Sequence, residues 1–291
     1  MAAATEPGPP ILPQPGAPAT GRAILTATDR RKEAMVPGAD DPFDLSGKVA
    51  VVTGGSRGIG REVVHGLARA GADVVVASRK LDRCQAVAEE VTAATGRRAL
   101  AVGCHVGRWE QCDRLVEQVY GHFGHCEVLV SNAGMSPLYP DLASVTEELY
   151  DKTHAVNARG PFRLGSLFGQ KMFEGDGGSI INVSTAGSWR PGPGDLPYAM
   201  AKAGLNALTL GLAGAFNPKV RANTVLPGPF DTEIAQAWAP GTLEAVAAAN
   251  PMRRVGQPTD MVGVCVFLAS DAAGYVNGAQ ILVDGGMFRT L

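Results

Sequence analysis

Val49-Ala50-Val51-Val52-Thr53-Gly54-Gly55-Ser56-Arg57-Gly58-Ile59-Gly60 is the stretch that decides the fold. Its first five residues read as a buried strand, and the glycine-rich turn after them runs straight into an amphipathic segment. Glycines here let the backbone turn tightly and approach a pyrophosphate. The N-terminus of the helix that follows presents unpaired N–H groups and the positive end of its dipole to the same anion. The spacing is Gly-xxx-Gly-x-Gly rather than the more widespread GxGxxG, so a merely tight strand-to-helix turn is the competing reading.

Outward from this turn, short β-branched runs alternate with longer amphipathic stretches. Strands are expected at 49–53, 73–78, 99–104, 127–131, 179–184, 220–225 and 280–283, and helices around 58–70, 81–95, 108–122, 146–174, 197–214 and 258–269. Near-continuous apolar strands separated by helices predict βαβ units with right-handed crossovers. The expected architecture is α/β: one Rossmann-like, doubly wound domain over 44–291, with a seven-stranded, mostly parallel sheet and helices on both faces. Residues 1–43 are rich in Pro, Ala and Gly, a composition that buries too little apolar surface to offset its ordering entropy, and read as a disordered or loosely docked arm.

Composition narrows the function classes. Twenty-six basic against 28 acidic residues leave a net charge of -2, with no excess to neutralise phosphates, so nucleic acid is not an expected partner. Five cysteines, an odd number with no CxxC pair, argue against a disulfide framework and against a zinc site; no metal is expected, and a reducing cytoplasm fits. No run approaches the roughly 18 apolar residues of a membrane span. The N-terminus also lacks the pattern of a secretory signal. The last residues, Arg289-Thr290-Leu291, resemble a peroxisomal SKL ending only loosely and read as a frayed terminus.

At the end of the second expected strand, dinucleotide enzymes separate NAD from NADP: an acidic side chain accepts from the ribose 2′-hydroxyl, whereas an Arg pairs with a 2′-phosphate. Here that strand closes Ala77-Ser78-Arg79-Lys80, without a carboxylate, and Arg57 adds a second guanidinium. NADP(H) is the expected cofactor, with NAD(H) as the alternative if Arg79 and Lys80 merely cap a strand in solvent. Farther along, Tyr198 and Lys202 stand four residues apart in a helical stretch and share a face. An ammonium beside a phenol favours the phenolate, which would make Tyr198 a usable acid or base. Ser184 closes an expected strand, where open α/β sheets place ligand-binding groups and a hydroxyl can steady a substrate oxygen. Taken singly, each of these is as ordinary as a surface pair or a turn serine.

Together they resemble a classical short-chain dehydrogenase/reductase over roughly residues 45 to 287. The motifs that carry the resemblance are Thr53-Gly-xxx-Gly58-Ile59-Gly60, Ser131-Asn132-Ala133-Gly134, Asn157, Ser184, Tyr198-xxx-Lys202, Pro227-Gly228 with Thr232, and Val283-Asp284-Gly285-Gly286. The resemblance implies roles. Tyr198 would be the general acid or base, Ser184 would orient the carbonyl, and Lys202 would bind the nicotinamide ribose and lower the tyrosine pKa. Asn157 would hold a relay water. Gly54, Ser56, Arg57, Gly58, Ile59 and Gly60 would bind the cofactor at the glycine turn, and Ser78 and Arg79 at the end of the second strand, where the 2′-position is read. Asn132 and Gly134, flanking Ala133, would support the central strand and the adenosine ribose, while Pro227, Gly228 and Thr232 would bracket the carboxamide. One position departs from the family: His105-Val106 stands where Asp-Val is usual, the carboxylate accepting from the adenine amino group. A neutral imidazole could accept there through its unprotonated nitrogen, with affinity expected to suffer below about pH 6.5.

A segment from 229 to 251, with Phe230, Ile234 and Trp238, reads as a lid that excludes water, and Trp189 as a second candidate pocket wall. The resemblance also implies a homotetramer or homodimer. Three functions compete: an NADPH-dependent reductase of ketones or 3-oxoacyl thioesters, an NAD-dependent alcohol, polyol or steroid dehydrogenase, and a non-catalytic dinucleotide sensor.

Overall fold

The first strand, β1 (Val49–Thr53), is buried along its whole length, and its side chains divide by parity between two apolar layers. Ala50 and Val52 join one cluster and Val49 and Val51 the other, as the two-residue period of a strand requires. The same division holds in β2 (Asp73–Ser78), where Val74 and Val76 lie on one side and Val75 and Ala77 on the other. A strand apolar on both faces is stable only when both faces are covered. Here α1 (Gly58–Arg69), α2 (Leu81–Thr95) and α8 (Val262–Ala269) supply one cover, and α3 (Trp109–Phe123), α5 (Gly160–Glu174) and α6 (Leu196–Ala215) the other.

A computed structural model describes residues 41–233, 235 and 239–288. Most of the 1–43 arm, Ile234, Trp238 and the last three residues lie outside the described residues. The remaining strands are β3 (Ala99–Gly103), β4 (Val128–Ser131), β5 (Gly178–Val183), β6 (Val220–Pro227) and β7 (Gln280–Val283). The sheet order is β3-β2-β1-β4-β5-β6-β7 and every neighbouring pair is parallel. Chain order reverses between β1 and β4, with Thr53 paired to Ser131, and a crevice opens beyond the carboxyl ends of the strands at such a switch point.

Three expected elements change form. The stretch expected as one helix over 146–174 is α4 (Glu147–His154), a π segment at Ala155–Arg159 and then α5. Within the π segment, Asn157 Nδ2 donates to Thr153 O at 2.9 Å and to Met135 O at 2.8 Å, competing with the helix's own pattern. The helix expected from 258 opens as a 3₁₀ turn at Pro258–Met261 before α8, and β6 runs two residues longer than expected. Buried hydroxyls seat α6 on the sheet. Thr209 Oγ1 accepts from Asn182 Nδ2 of β5 and from Thr224 Oγ1 of β6, both at 2.9 Å. Unpaired, these groups would each cost roughly 1–3 kcal/mol, so the network fixes the helix that carries Tyr198.

Candidate active site

The carboxyl ends of the first strands and the start of α1 enclose a cleft of about 440 Å³. Its floor is built by close backbone approach. A methyl group on Gly60 would lie 2.2 Å from Gly54 O and 2.5 Å from Asn132 Nδ2, so only glycine fits there. Gly54 has φ +66°, a conformation that L side chains rarely adopt. Asn132 Nδ2 donates to Thr53 O at 3.0 Å and Gly54 O at 3.3 Å, while Thr53 Oγ1 accepts from the amides of Asn132 and Ala133, each at 3.1 Å. These bonds lock the turn after β1 to the end of β4. No acidic residue stands in the first turn of α1, so nothing there opposes an anion on its free N–H groups.

Every residue expected to hold the cofactor lines this cleft except Gly228. Gly228 instead packs beneath the end of β7: its N–H donates to Val283 O at 2.9 Å, and a methyl group there would meet Asp284 Cβ at 2.7 Å. Arg79, Lys80 and Arg83 line the edge beyond β2. Ser78 Oγ donates to Ser56 Oγ at 2.8 Å, joining that edge to the glycine turn. Arg57 is ion-paired with Glu233, so its guanidinium reaches the loop after β6 as well as the cleft. His105 Nδ1 accepts from Gly107 N–H at 3.1 Å, and its amide donates to Gln111 Oε1 at 2.7 Å. The nitrogen expected to accept from adenine is therefore already engaged within the chain. Burial, then Arg79 and Arg108, hold the imidazole below its ordinary pKa, which moves any effect of its charging below the pH window expected from sequence.

At the other end of the cleft, Lys202 is buried and its Nζ donates to Val183 O at 2.6 Å, 5.8 Å from the centre of the Tyr198 ring. Gly134 separates Lys202 from Asn157: a methyl group there would lie 3.7 Å from Lys202 Nζ and 3.1 Å from Asn157 Oδ1. Asn157 is fully buried; Oδ1 accepts from Met135 N–H at 3.2 Å, and both of its amide hydrogens are spent on carbonyls. Ser184 is buried beside them, its Oγ donating to Lys202 O at 3.2 Å. Trp189, expected as a pocket wall, sends its indole N–H to Gln280 Oε1 of β7 at 2.8 Å instead.

Known proteins resemble this chain in sequence and fold. A family profile described as enoyl-(acyl carrier protein) reductase matches residues 54–288, and human dehydrogenase/reductase SDR family member 4 is 36% identical over 247 residues, 83% of this chain and 88% of that protein. The chain belongs to the short-chain dehydrogenase/reductase family. It is also similar to the L-rhamnose 1-dehydrogenase (NAD(P)(+)) of Azotobacter vinelandii, 39% identical over 85% of this chain and 99% of that one. The gluconate 5-dehydrogenase of Burkholderia cenocepacia, solved with NADP and tartrate, superposes with a TM-score of 0.81 at 30% identity, covering 86% of this chain and 99% of the other.

This short-chain dehydrogenase/reductase is thus an NAD(P)-dependent oxidoreductase acting on alcohol and carbonyl groups. The pair Tyr198 and Lys202 departs from the simple expectation. Burial pushes the Tyr198 phenol up to about 12, helped by the Asp195 carboxylate and opposed by a hydrogen bond to Thr185. Burial brings the Lys202 ammonium down to about 7. Lys202 faces the tyrosine ring and bonds a carbonyl, so desolvation outweighs the expected help from an adjacent cation. The sequence reading missed Thr53, Thr185, Met135 and Asp195. Thr185 stands next to Ser184 and Asp195 three residues before Tyr198, one helical turn away, so proximity was the available signal.

Proposed function

We propose that this enzyme is an NADP(H)-preferring oxidoreductase whose substrate is a ketone, with 3-oxoacyl thioesters in its range, or the matching secondary alcohol. The observation that carries the cofactor preference is the cleft edge beyond β2: Arg79, Lys80 and Arg83 line it, and Glu233, paired with Arg57, is the one carboxylate among the described lining residues. A 2′-phosphate is complementary to that edge, and a 2′-hydroxyl finds no carboxylate to accept its proton.

A nicotinamide held at the Tyr198 end supplies or accepts the hydride. The chain's own groups do the rest. Tyr198 passes the proton to or from the substrate oxygen, and its high pKa keeps it protonated, ready to act as the acid in reduction. Ser184 Oγ, turned from Lys202 O, holds that oxygen as charge develops. Lys202 holds the nicotinamide ribose, and Asn157 positions Met135 and the turn around Gly134. Residues 239–251 are read as a cover over the substrate: α7 (Thr242–Ala249) has no buried residue, while the buried Asn250 after it anchors through Nδ2 to Asp284 O at 2.8 Å. We also place the enzyme in the cytoplasm as a homotetramer or homodimer. The half-buried edge strand β7 and the exposed Met200 and Leu210 on α6 support self-association, and the five unpaired, buried cysteines suit a reducing compartment.

A second reading, oxidation of a sugar or polyol, is favoured by Asp195, whose carboxylate lies near enough to Tyr198 to raise its pKa and could accept from a neighbouring substrate hydroxyl. The deciding experiment follows reduced-ring absorbance with NADPH or NADH over ketones, 3-oxoacyl thioesters and, in reverse, polyols. NADPH-linked ketone turnover that falls by about 10²–10⁴ in Tyr198→Phe is expected. Preference for NADH, or selectivity unchanged in Arg79→Ala, would refute the cofactor assignment. Sedimentation of a monomer would refute the assembly.

A further inference from the structure

His105 stands at the end of β3, on the cleft wall two strands from the switch point and beyond Arg79 at the end of β2. A dinucleotide whose pyrophosphate sits on the turn after β1 and whose ribose lies at the end of β2 extends its purine toward β3. The chemistry that His105 offers there follows from one hydrogen bond. The Gly107 amide can only donate, and it donates to His105 Nδ1 at 3.1 Å. In the neutral ring the proton must then sit on Nε2, and the remaining ring nitrogen is a donor with no lone pair to offer. The ring is held in place. A methyl group on Gly107 would come within 3.1 Å of His105 Cε1 and 3.2 Å of Val156 Cγ2, so the imidazole lies close against that turn, and His105 O accepts from Arg108 N–H at 2.9 Å. Burial first, and then the cationic Arg79 and Arg108 beside it, favour the neutral ring.

Directed at the 6-position of the purine, that N–H would meet the exocyclic amino group of adenine donor to donor, whereas the 6-oxo group of hypoxanthine would accept from it. We infer that His105 is a specificity-determining residue for the purine of the dinucleotide, and that its Nε2–H removes the preference for a 6-amino over a 6-oxo purine that a carboxylate at the same place would confer. The inference rests on the proposed dinucleotide binding at this cleft. It concerns which base is tolerated, not whether hydride transfer occurs.

The test is equilibrium binding without substrate. Dissociation constants for NADPH and for reduced nicotinamide hypoxanthine dinucleotide phosphate are measured by dihydronicotinamide fluorescence for the wild type and for His105→Asp. The wild type is expected to bind the two within about threefold of each other or to favour the hypoxanthine form. His105→Asp is expected to favour the adenine form by about tenfold or more, the scale of one hydrogen bond gained against one donor clash. Equal adenine preference in both proteins would overturn the inference while leaving the cofactor reading intact, and failure of either dinucleotide to bind would overturn both. The ¹⁵N resonances of His105 give a second measurement on the wild type alone. They should show a protonated Nε2 and an unprotonated Nδ1, and the opposite tautomer would refute the argument even if His105→Asp did not fold.

Discussion

The acidity of Tyr198 is set by burial, Asp195 and Thr185. The phenol is half-buried and pushed up to about 12, first by burial and then by the Asp195 carboxylate, which lies one helical turn before it. Asp195 is itself held above the usual carboxylate range by burial, although it accepts from Gly192 N–H at 3.1 Å. Removing its charge while keeping its shape should therefore lower the tyrosine pKa. In Asp195→Asn the alkaline limb of kcat/KM in the reductive direction should move to lower pH, because the protonated phenol is the acid and is lost sooner. A limb that stays in place would mean that Asp195 does not act on Tyr198. The Tyr198-xxx-Lys202 spacing shows in the sequence because both groups lie on one helix. The opposing effect of Asp195 does not, because it depends on how far water is excluded from the start of α6.

At the scale of elements, the glycine turn and the π segment make opposite demands on prediction. In Gly60→Ala the new methyl would overlap Gly54 O, a backbone atom with nowhere to move, so a loss of roughly 1–3 kcal/mol in stability and of nearly all dinucleotide affinity is expected. Gly121→Ala is the control. It lies on the exposed face of α3 with nothing within 4 Å of the added methyl, and should stabilise the protein by about 0.5–1 kcal/mol. Urea unfolding and dinucleotide titration check both, and a destabilised Gly121→Ala would refute the distinction. Asn157→Ala should cost about 1–3 kcal/mol, since it strands the Met135 amide and the carbonyls of Met135 and Thr153. Unfolding at the wild-type midpoint would contradict that. The glycine turn was legible because its spacing and its place between strand and helix are local. The π segment was less so: apolar residues at three- and four-residue spacing continue through 146–174, and although Pro161 marks a local break, the contact from Asn157 to Met135, 22 positions away, is not written locally.

For the molecule as a whole, Lys202 couples the candidate active site to global stability. Its ammonium has an ordinary pKa near 10.5 when the chain is unfolded and about 7 in the buried site. Between those values the native state carries fewer protons than the unfolded state, so the contribution of Lys202 to stability rises with pH over that window and is flat below it. Tyr198 works in the opposite direction only above about pH 10, where the native state holds the extra proton. Relative to Lys202→Met, the wild type should therefore gain on the order of a few kcal/mol between pH 6.5 and 9.5 in urea unfolding. A difference independent of pH would show that Lys202 is not desolvated.

The sequence by itself determined the alternation of strand and helix, the glycine turn, and the order of the motifs that mark the family. Each of these is written in residues close together in the chain or in the periodicity of apolar side chains. Only the tertiary structure decided that Thr53 and Asn132, 79 positions apart, lock the turn to the neighbouring strand, that Arg57 is shared with Glu233, and that burial lowers the Lys202 pKa while raising that of Tyr198. It also decided that His105 faces the cleft with its accepting nitrogen already taken. Pairing between distant residues and the exclusion of water from ionisable groups arise only when the sheet brings strand ends together, and no local pattern encodes them.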